Sequence, residues 1–198
     1  MEFNPVNGFD ISRDFFDNGE CCVEAEIEAS ICFYIRQVSH YIRVHKLSLS
    51  GGRTDGIIKL YDESNNYLGF IINESKRDQV FDEIRDEGTG FAQAMFYSGK
   101  FLYDINFDKE INTEKFLGIF ITNAYNLIFI PKKNLTQQIE SFEPLWREFS
   151  YKISPSVFAK SIHAKLWTIQ NKPKYYRYYL DEHFKLDQLF KDIYTGNY

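Results

Sequence analysis

Glu74 and Lys76 stand two residues apart at the end of an apolar run, Phe70, Ile71 and Ile72, in the stretch "GFIINESKRD". Alternation along a strand puts positions i and i+2 on one face. A carboxylate and an ammonium therefore leave the same side of a strand whose preceding residues read as buried on both faces. Taken alone, the triplet is a common short pattern, and a solvated strand-end ion pair worth less than ~1 kcal/mol is the better reading of it. Its setting points further. Asp55, in "GGRTDGII", begins a strand that a hairpin would pair with the one ending at Glu74. Two carboxylates at one end of a sheet repel each other unless a cation sits between them. Two hard oxygens, completed by waters and a phosphate oxygen, are what Mg²⁺ accepts from a protein. Such an ion lowers the pKa of a bound water and stabilises charge on a phosphodiester. Lys76 beside it would orient or deprotonate the attacking water or screen developing negative charge.

The elements that must hold these residues follow from periodicity. From Glu20 to Arg43, Val23, Ile27, Ile31, Tyr34, Ile35, Val38 and Ile42 recur at threes and fours, which predicts an amphipathic helix with acids early and basic residues late. "VHKLSLS" alternates as a strand and breaks at Gly51 and Gly52. "DGIIKLY" and "YLGFIIN" predict a strand pair around the turn "DESNN". "DQVFDEIRDEGTGFAQAMFYSGKFLY" is helical in composition, divided by Gly88 and Gly90. "FLGIFIT" and "NLIFIPK" predict a second strand pair. "NLTQQIESFEPLWREF" predicts a helix capped by Asn134 or Thr136, Ser154 followed by Pro155 marks another helix start, and a last helix is expected from Asp181 to Tyr194. Helix, three strands, helix, two strands is an α/β order.

Composition bounds the rest. With 198 residues, 44% hydrophobic and 18% aromatic, the chain can bury one substantial core and carry an appended region. No apolar run approaches the ~20 residues of a membrane helix and the N-terminus lacks the order of a secretion signal, so an intracellular protein with no membrane partner is expected. Cys21, Cys22 and Cys32 suit neither a disulfide framework nor a zinc site. His40, His45, His163 and His183 are scattered outside any motif. A net charge of −5 excludes a uniformly basic coat but leaves room for a basic patch. One exists between Phe149 and Leu180, where no acid occurs and Lys152, Lys160, Lys165, Lys172, Lys174 and Arg177 are all positive. In "NKPKYYRYYL" the cations Lys172, Lys174 and Arg177 interleave with Tyr175, Tyr176, Tyr178 and Tyr179. Cations reach phosphates and rings stack on unpaired bases. The same tract reads equally as a packing helix with a basic outer side.

The motifs together resemble the PD-(D/E)xK nucleases, and within them the nuclease domain at the N-terminus of type I restriction motor subunits. "GRTDGIIKLY" stands for the strand with the first acid, and "LGFIINESKRD" looks like the strand ending in Glu-x-Lys-Arg. "GFAQAMFYS" holds Gln93 and Tyr97 in the Gln-x-x-x-Tyr spacing that several of these nucleases place on the next helix. The resemblance spans roughly residues 20 to 131, with Thr54 where the family label has Pro and no helicase following. It implies a restriction-endonuclease-like mixed central sheet flanked by helices over 1–131, with a helical C-terminal extension over 132–198 packed on it. It implies a Mg²⁺- or Mn²⁺-dependent endonuclease acting on DNA, with a homodimer as a way to cut both strands. Asp55, Glu74 and the backbone carbonyl of Ser75 would hold the metal and Lys76 would be the catalytic lysine. Gln93 and Tyr97 would orient substrate, and Glu28, or Glu24 one turn earlier, would approach from the first helix. Arg77, Lys172, Lys174, Tyr175, Arg177 and Tyr178 are the expected nucleic-acid contacts. The alternatives are a catalytically silent nucleic-acid-binding module that keeps this fold and an assembly subunit acting through the tail.

Overall fold

In the computed structural model the residues described are 42–45, 48–49, 52–53, 56–62, 64–76, 89–104, 113–122, 126–179 and 185–198. The hairpin is where local sequence dictates most. Strands β4 (Gly56–Tyr61) and β5 (Tyr67–Ser75) pair antiparallel, with Gly56 opposite Asn73. The intervening turn is organised by Asp62, whose Oδ1 accepts from the backbone N–H of Ser64 at 2.9 Å and of Asn66 at 2.7 Å, while Oδ2 accepts from Asn66 Nδ2 at 2.9 Å. The Asn66 side-chain amide, with the backbone N–H groups adding, holds the Asp62 carboxyl below its ordinary pKa. Asn65 supplies the left-handed residue at φ 63°, a conformation asparagine tolerates.

β1 (Ile42–His45) pairs antiparallel with β4 on the outer side. Ile42 and Arg43 were expected to close the first helix; they are instead strand residues, consistent with the β-branched Ile42 and Val44 that favour a pleated surface. The remainder of that predicted helix, and its Glu24 and Glu28, lie outside the described residues. The predicted "VHKLSLS" strand is divided: Val44 and His45 end β1, and β2 (Ser48–Leu49) pairs with β3 (Gly52–Arg53) in a separate small ribbon.

Beyond β5 the chain crosses over through helix α1 (Thr89–Leu102) and returns as β6 (Phe116–Thr122), parallel to β5. The apolar second part of the predicted helical stretch is this helix, with Gly90 in its first turn; the charged first part lies outside the described residues. β7 (Asn126–Pro131) then turns back antiparallel to β6. Helices α2 (Thr136–Phe149), α3 (Pro155–Ala159) and α4 (Ile162–Gln170) follow. α2 has Leu135 at its N-cap with no side-chain cap, so neither Asn134 nor Thr136 caps it; the preceding 3-10 turn, Lys132–Asn134, delivers the chain instead. Ser154 caps α3 as expected, accepting from Val157 N with Pro155 in the first turn.

The basic aromatic tract is not a helix. Tyr176–Tyr179 form an eighth strand, β8, antiparallel to β7, before α5 (Leu186–Thr195) closes the chain on a left-handed Gly196. A run of tyrosines favours a pleated surface and finds the open side of β7. The result is a mixed six-stranded sheet in the order β1-β4-β5-β6-β7-β8, with β5 and β6 its parallel pair. The C-terminal region is therefore not purely helical.

Two cores lie on opposite faces of the sheet. Phe70 and Ile72 point with Ile119, Ile121, Ile128 and Ile130 into a cluster covered by α1, α2, α3 and α4. Ile71, Phe120 and Phe129 point the other way, onto Leu189, Phe190 and Ile193 of α5. α1 and α2 approach closely because Gly99 has no side chain: a Cβ there would lie 2.6 Å from Trp146 Cγ. Trp146 Nε1 donates to Phe96 O at 3.0 Å across that contact. Among the described residues no helix is long and apolar enough to cross a membrane.

Candidate active site

β5 reaches its end in the middle of the sheet, flanked by β4 and β6, so its last residues leave a buried strand rather than a surface one. Glu74 is 0% exposed and Lys76 6%. Lys76 Nζ donates to Glu74 Oε1 at 2.5 Å and to the Ser75 carbonyl oxygen at 3.1 Å. The solvated ion pair is thus corrected to a buried one. The backbone fixes its place, because Lys76 N continues the parallel ladder to Thr122 O at 2.8 Å.

The pleat sends Glu74 and Lys76 to the α1 face, following Phe70 and Ile72. Room for the lysine stem comes from Gly90: a Cβ there would lie 3.3 Å from Lys76 Cγ and 3.4 Å from Ile121 Cγ2. On the other face, Asn73, Ser75 and Thr122 form a closed polar group, buried to within 1%. Asn73 Nδ2 donates to Ser75 Oγ at 3.2 Å, Thr122 Oγ1 donates to Asn73 Oδ1 at 3.3 Å, and the two hydroxyls lie 3.4 Å apart. These side chains grip the strand end whose carbonyl and carboxylate converge on Lys76 Nζ.

Sequence reasoning did not find Gly90 or the Asn73–Ser75–Thr122 group. The signal for the latter was present, since Asn73 and Ser75 alternate with Glu74 and Lys76 and Thr122 closes "FLGIFIT". Gly90 was visible only as a helix breaker.

Gln93 and Tyr97 lie on α1, three and seven positions beyond Gly90. At ~1.5 Å per residue they sit ~4.5 and ~10.5 Å further along the helix axis. Gln93 is half-buried one turn from the Lys76 stem, whereas Tyr97 is buried in the core between α1 and the sheet. Asp55, Arg77, Glu24 and Glu28 lie outside the described residues; Asp55 directly precedes Gly56, the residue paired with Asn73. Among the described residues no group of three or more His, Cys, Asp or Glu gathers as a metal site.

The donor set present is Glu74 Oε1 and the Ser75 carbonyl, both aimed at the ammonium of Lys76. They fit part of the oxygen shell of a hard cation, since an ammonium and a metal ion draw on the same convergent oxygens. They do not complete such a shell.

The tail residues lie elsewhere. β8 is antiparallel to β7 and lies level with the end of β5, three strands away: Arg177 is in register with Glu74, and its start, Tyr176, with Asn73. Lys172 and Lys174, both exposed, precede that start with the half-buried Tyr175. Within β8 the register puts Tyr178 beside Leu127 and Arg177 beside Ile128, on opposite faces. Tyr178 packs against the α5 cluster, and burial, with Asp192 and Tyr176 adding, raises its phenol pKa. The expected contacts therefore do not share one surface.

No family model, curated protein or solved structure matches the chain.

Proposed function

We propose that this chain is a metal-dependent nuclease of the PD-(D/E)xK type that hydrolyses phosphodiester bonds in DNA. One observation carries the reading. At the end of a central strand, next to the parallel partner β6, a buried carboxylate and a backbone carbonyl converge on the ammonium of a buried lysine. The carboxyl ends of parallel strands are where open α/β sheets place their sites.

In this proposal Asp55, Glu74 and the Ser75 carbonyl hold Mg²⁺ or Mn²⁺, which when bound supplies Lewis acidity to the phosphoryl oxygen and acidifies water. Hydrolysis adds water to phosphorus, breaks one P–O ester bond and returns a proton to the leaving oxygen. Lys76 contributes a fixed positive charge where the phosphoryl group gains negative charge. Glu74 sets the direction of that ammonium, and Gln93 is the helix residue best placed to orient substrate. Tyr97 supports α1 from the core. Glu28 or Glu24 would add a further acid, and a second copy related by a two-fold axis would present its site to the other DNA strand.

A specific observation favours a second reading. Lys76 already occupies both convergent oxygens, and the pair is almost closed to solvent. A nucleic-acid-binding or assembly module that keeps the fold without turnover would carry this arrangement as a buried structural ion pair. The deciding experiment incubates plasmid, single-stranded DNA and RNA with the protein, with and without Mn²⁺. The nuclease reading expects Mn²⁺-dependent cleavage that Asp55→Asn and Glu74→Gln abolish while Lys76→Ala still binds Mn²⁺. Parental cleavage by Asp55→Asn overturns the site assignment.

A further inference from the structure

The walls of a pocket of about 400 Å³ are Asn134, Pro173, Lys174, Tyr175 and Tyr176, a size within the range of small-ligand sites. Its two sides come from separate elements. Asn134 ends the 3-10 turn after β7, and Pro173–Tyr176 lead from α4 into β8. The sides are tied together, since Asn134 Nδ2 donates to Lys174 O at 2.9 Å. That bond leaves the acceptor oxygen of the Asn134 amide for other partners. Pro173 is buried and gives a fixed apolar wall, Tyr175 is half-buried against the core and Tyr176 is 36% exposed.

No acid occurs in the segments that build the pocket, from Asn126 to Ile139 and from Ser150 to Tyr179. Lys174 is exposed at the rim. Lys133, from the same turn as Asn134, lies 4.2 Å over the ring of Tyr198, which meets Tyr176 edge-on at 5.6 Å. Flat rings, an amide with a directional acceptor and an exposed ammonium suit a ligand with a planar heterocycle at one end and a phosphate at the other.

We propose that this pocket binds an unpaired nucleotide, its base against Tyr176 and Pro173, its edge read by Asn134 and its phosphate held by Lys174. The occupant is a nucleotide of a single strand or a free mononucleotide. A base inside a duplex does not offer its face to a ring. The choice of nucleic acid as occupant rests on the nuclease reading, but the place does not. The pocket opens near β8, three strand positions from β5 in the sheet order, which at ~4.8 Å per strand puts it ~14 Å across from Glu74. It is a subsite remote from any cleavage chemistry there, so binding and cleavage can be lost independently.

The test measures anisotropy of a 5′-labelled oligo(dT) octamer with the full chain in EDTA, competed by dTMP, by inorganic phosphate and by an unlabelled duplex. The parent should bind the octamer, and dTMP should compete while phosphate and duplex do so far less. Lys174→Gln and Tyr176→Leu, which keeps a strand-compatible side chain, should each weaken octamer binding by about tenfold, the loss expected for one stacking or charge contact. Melting temperatures near the parent's keep a folding defect from counting as support. No binding by the parent, parental affinity in both variants, or competition by phosphate equal to that by dTMP would overturn the proposal. Parental octamer binding in both variants, with cleavage still lost in Glu74→Gln, removes the pocket and leaves the nuclease standing. Weakened binding in the variants, with a parent that never cleaves in Mn²⁺, does the reverse.

Discussion

A buried carboxylate is tolerable only while its partner is present, and Glu74 and Lys76 make that dependence measurable. Lys76→Met removes the ammonium but keeps the stem over Gly90, leaving a charge in a site closed to water. The expected cost is about 3 to 5 kcal/mol, read as a lower urea midpoint. Glu74→Gln combined with Lys76→Met should recover most of that loss, because neither member is then charged. If Lys76→Met alone unfolds at the parental midpoint, the pair is not a buried unit and the site geometry fails with it. Tyr103 gives a test in alkali. Its hydroxyl donates to Ile139 O at 2.6 Å, and burial, with the Glu143 charge adding, raises its pKa well above the tyrosine norm. The folded state therefore keeps this proton after the unfolded chain begins to lose its own near pH ~10. Below that pH the contribution is fully present; above it the unfolded state binds fewer protons, and stability falls as pH rises. Tyr103→Phe should lower stability at pH 7 by about 1 kcal/mol and flatten the decline above pH 10 in urea titrations. An unchanged alkaline slope would assign the decline to other groups.

Elements with strict patterns were legible in the sequence, and elements set by neighbours were not. Phe70 to Ile72 declared a strand buried on both faces because apolar residues fill both sides of the pleat, and the structure gives all three 0% exposure. Ser154 and Pro155 announced α3 through chemistry local to four residues. β8 was missed because Tyr176–Tyr179 has no partner in its own neighbourhood; its ladder is with β7, some fifty residues earlier, and tertiary pairing decided a stretch that composition left open. The site divides the same way. Glu74 and Lys76 were found from spacing, but their burial comes from β6 and α1, and the role of Gly90 exists only once α1 lies on β5. Gly90→Ala tests that role. Alanine gains ~1 kcal/mol of helix propensity, and its Cβ would press on Lys76 Cγ at 3.3 Å, a flexible stem that can shift. Stability should stay within ~1 kcal/mol of the parent while Mn²⁺-dependent cleavage drops, because the ammonium moves. Gly99→Ala is the contrasting case. There the Cβ would fall within 2.6 Å of Trp146 Cγ, a rigid indole, so α1 and α2 must separate and the urea midpoint should fall. Equal stability for the two variants would remove the distinction between a yielding and a rigid neighbour.

The sequence divides at residue 131, where strand pairs give way to helices, yet the fold uses both sides of that boundary to build one interior. Phe91 of α1 stacks at 5.4 Å on Trp167 of α4, and Phe96 meets Phe158 of α3 at 4.7 Å. Trp146 seats on Gly99, and α5 alone supplies the helix side of the second cluster among the described residues. Removing residues 132–198 would strip the α1 face of Phe142, Trp146, Phe158 and Trp167, uncover Ile71, Phe120 and Phe129 on the other, and leave β7 an unpaired, apolar edge. Each large side chain returned to water costs ~1.5 to 3 kcal/mol, and whole domains are stable by only ~5 to 15 kcal/mol. Losing several such contacts therefore exceeds the stability available. A chain ending at Pro131 should show no cooperative urea transition and should aggregate through β7, whereas the full chain should unfold in one transition seen alike by tryptophan fluorescence and far-ultraviolet circular dichroism. Trp146 and Trp167 both report on the part beyond the boundary, and the sheet signal comes mostly from the part before it. Two separated transitions in the full chain, or cooperative unfolding of the 1–131 chain, would make the boundary a true division between independent units. Coincident transitions would mean that the pocket beside β8 and the ion pair on β5 share one folding unit, so a ligand held at either raises the stability of both.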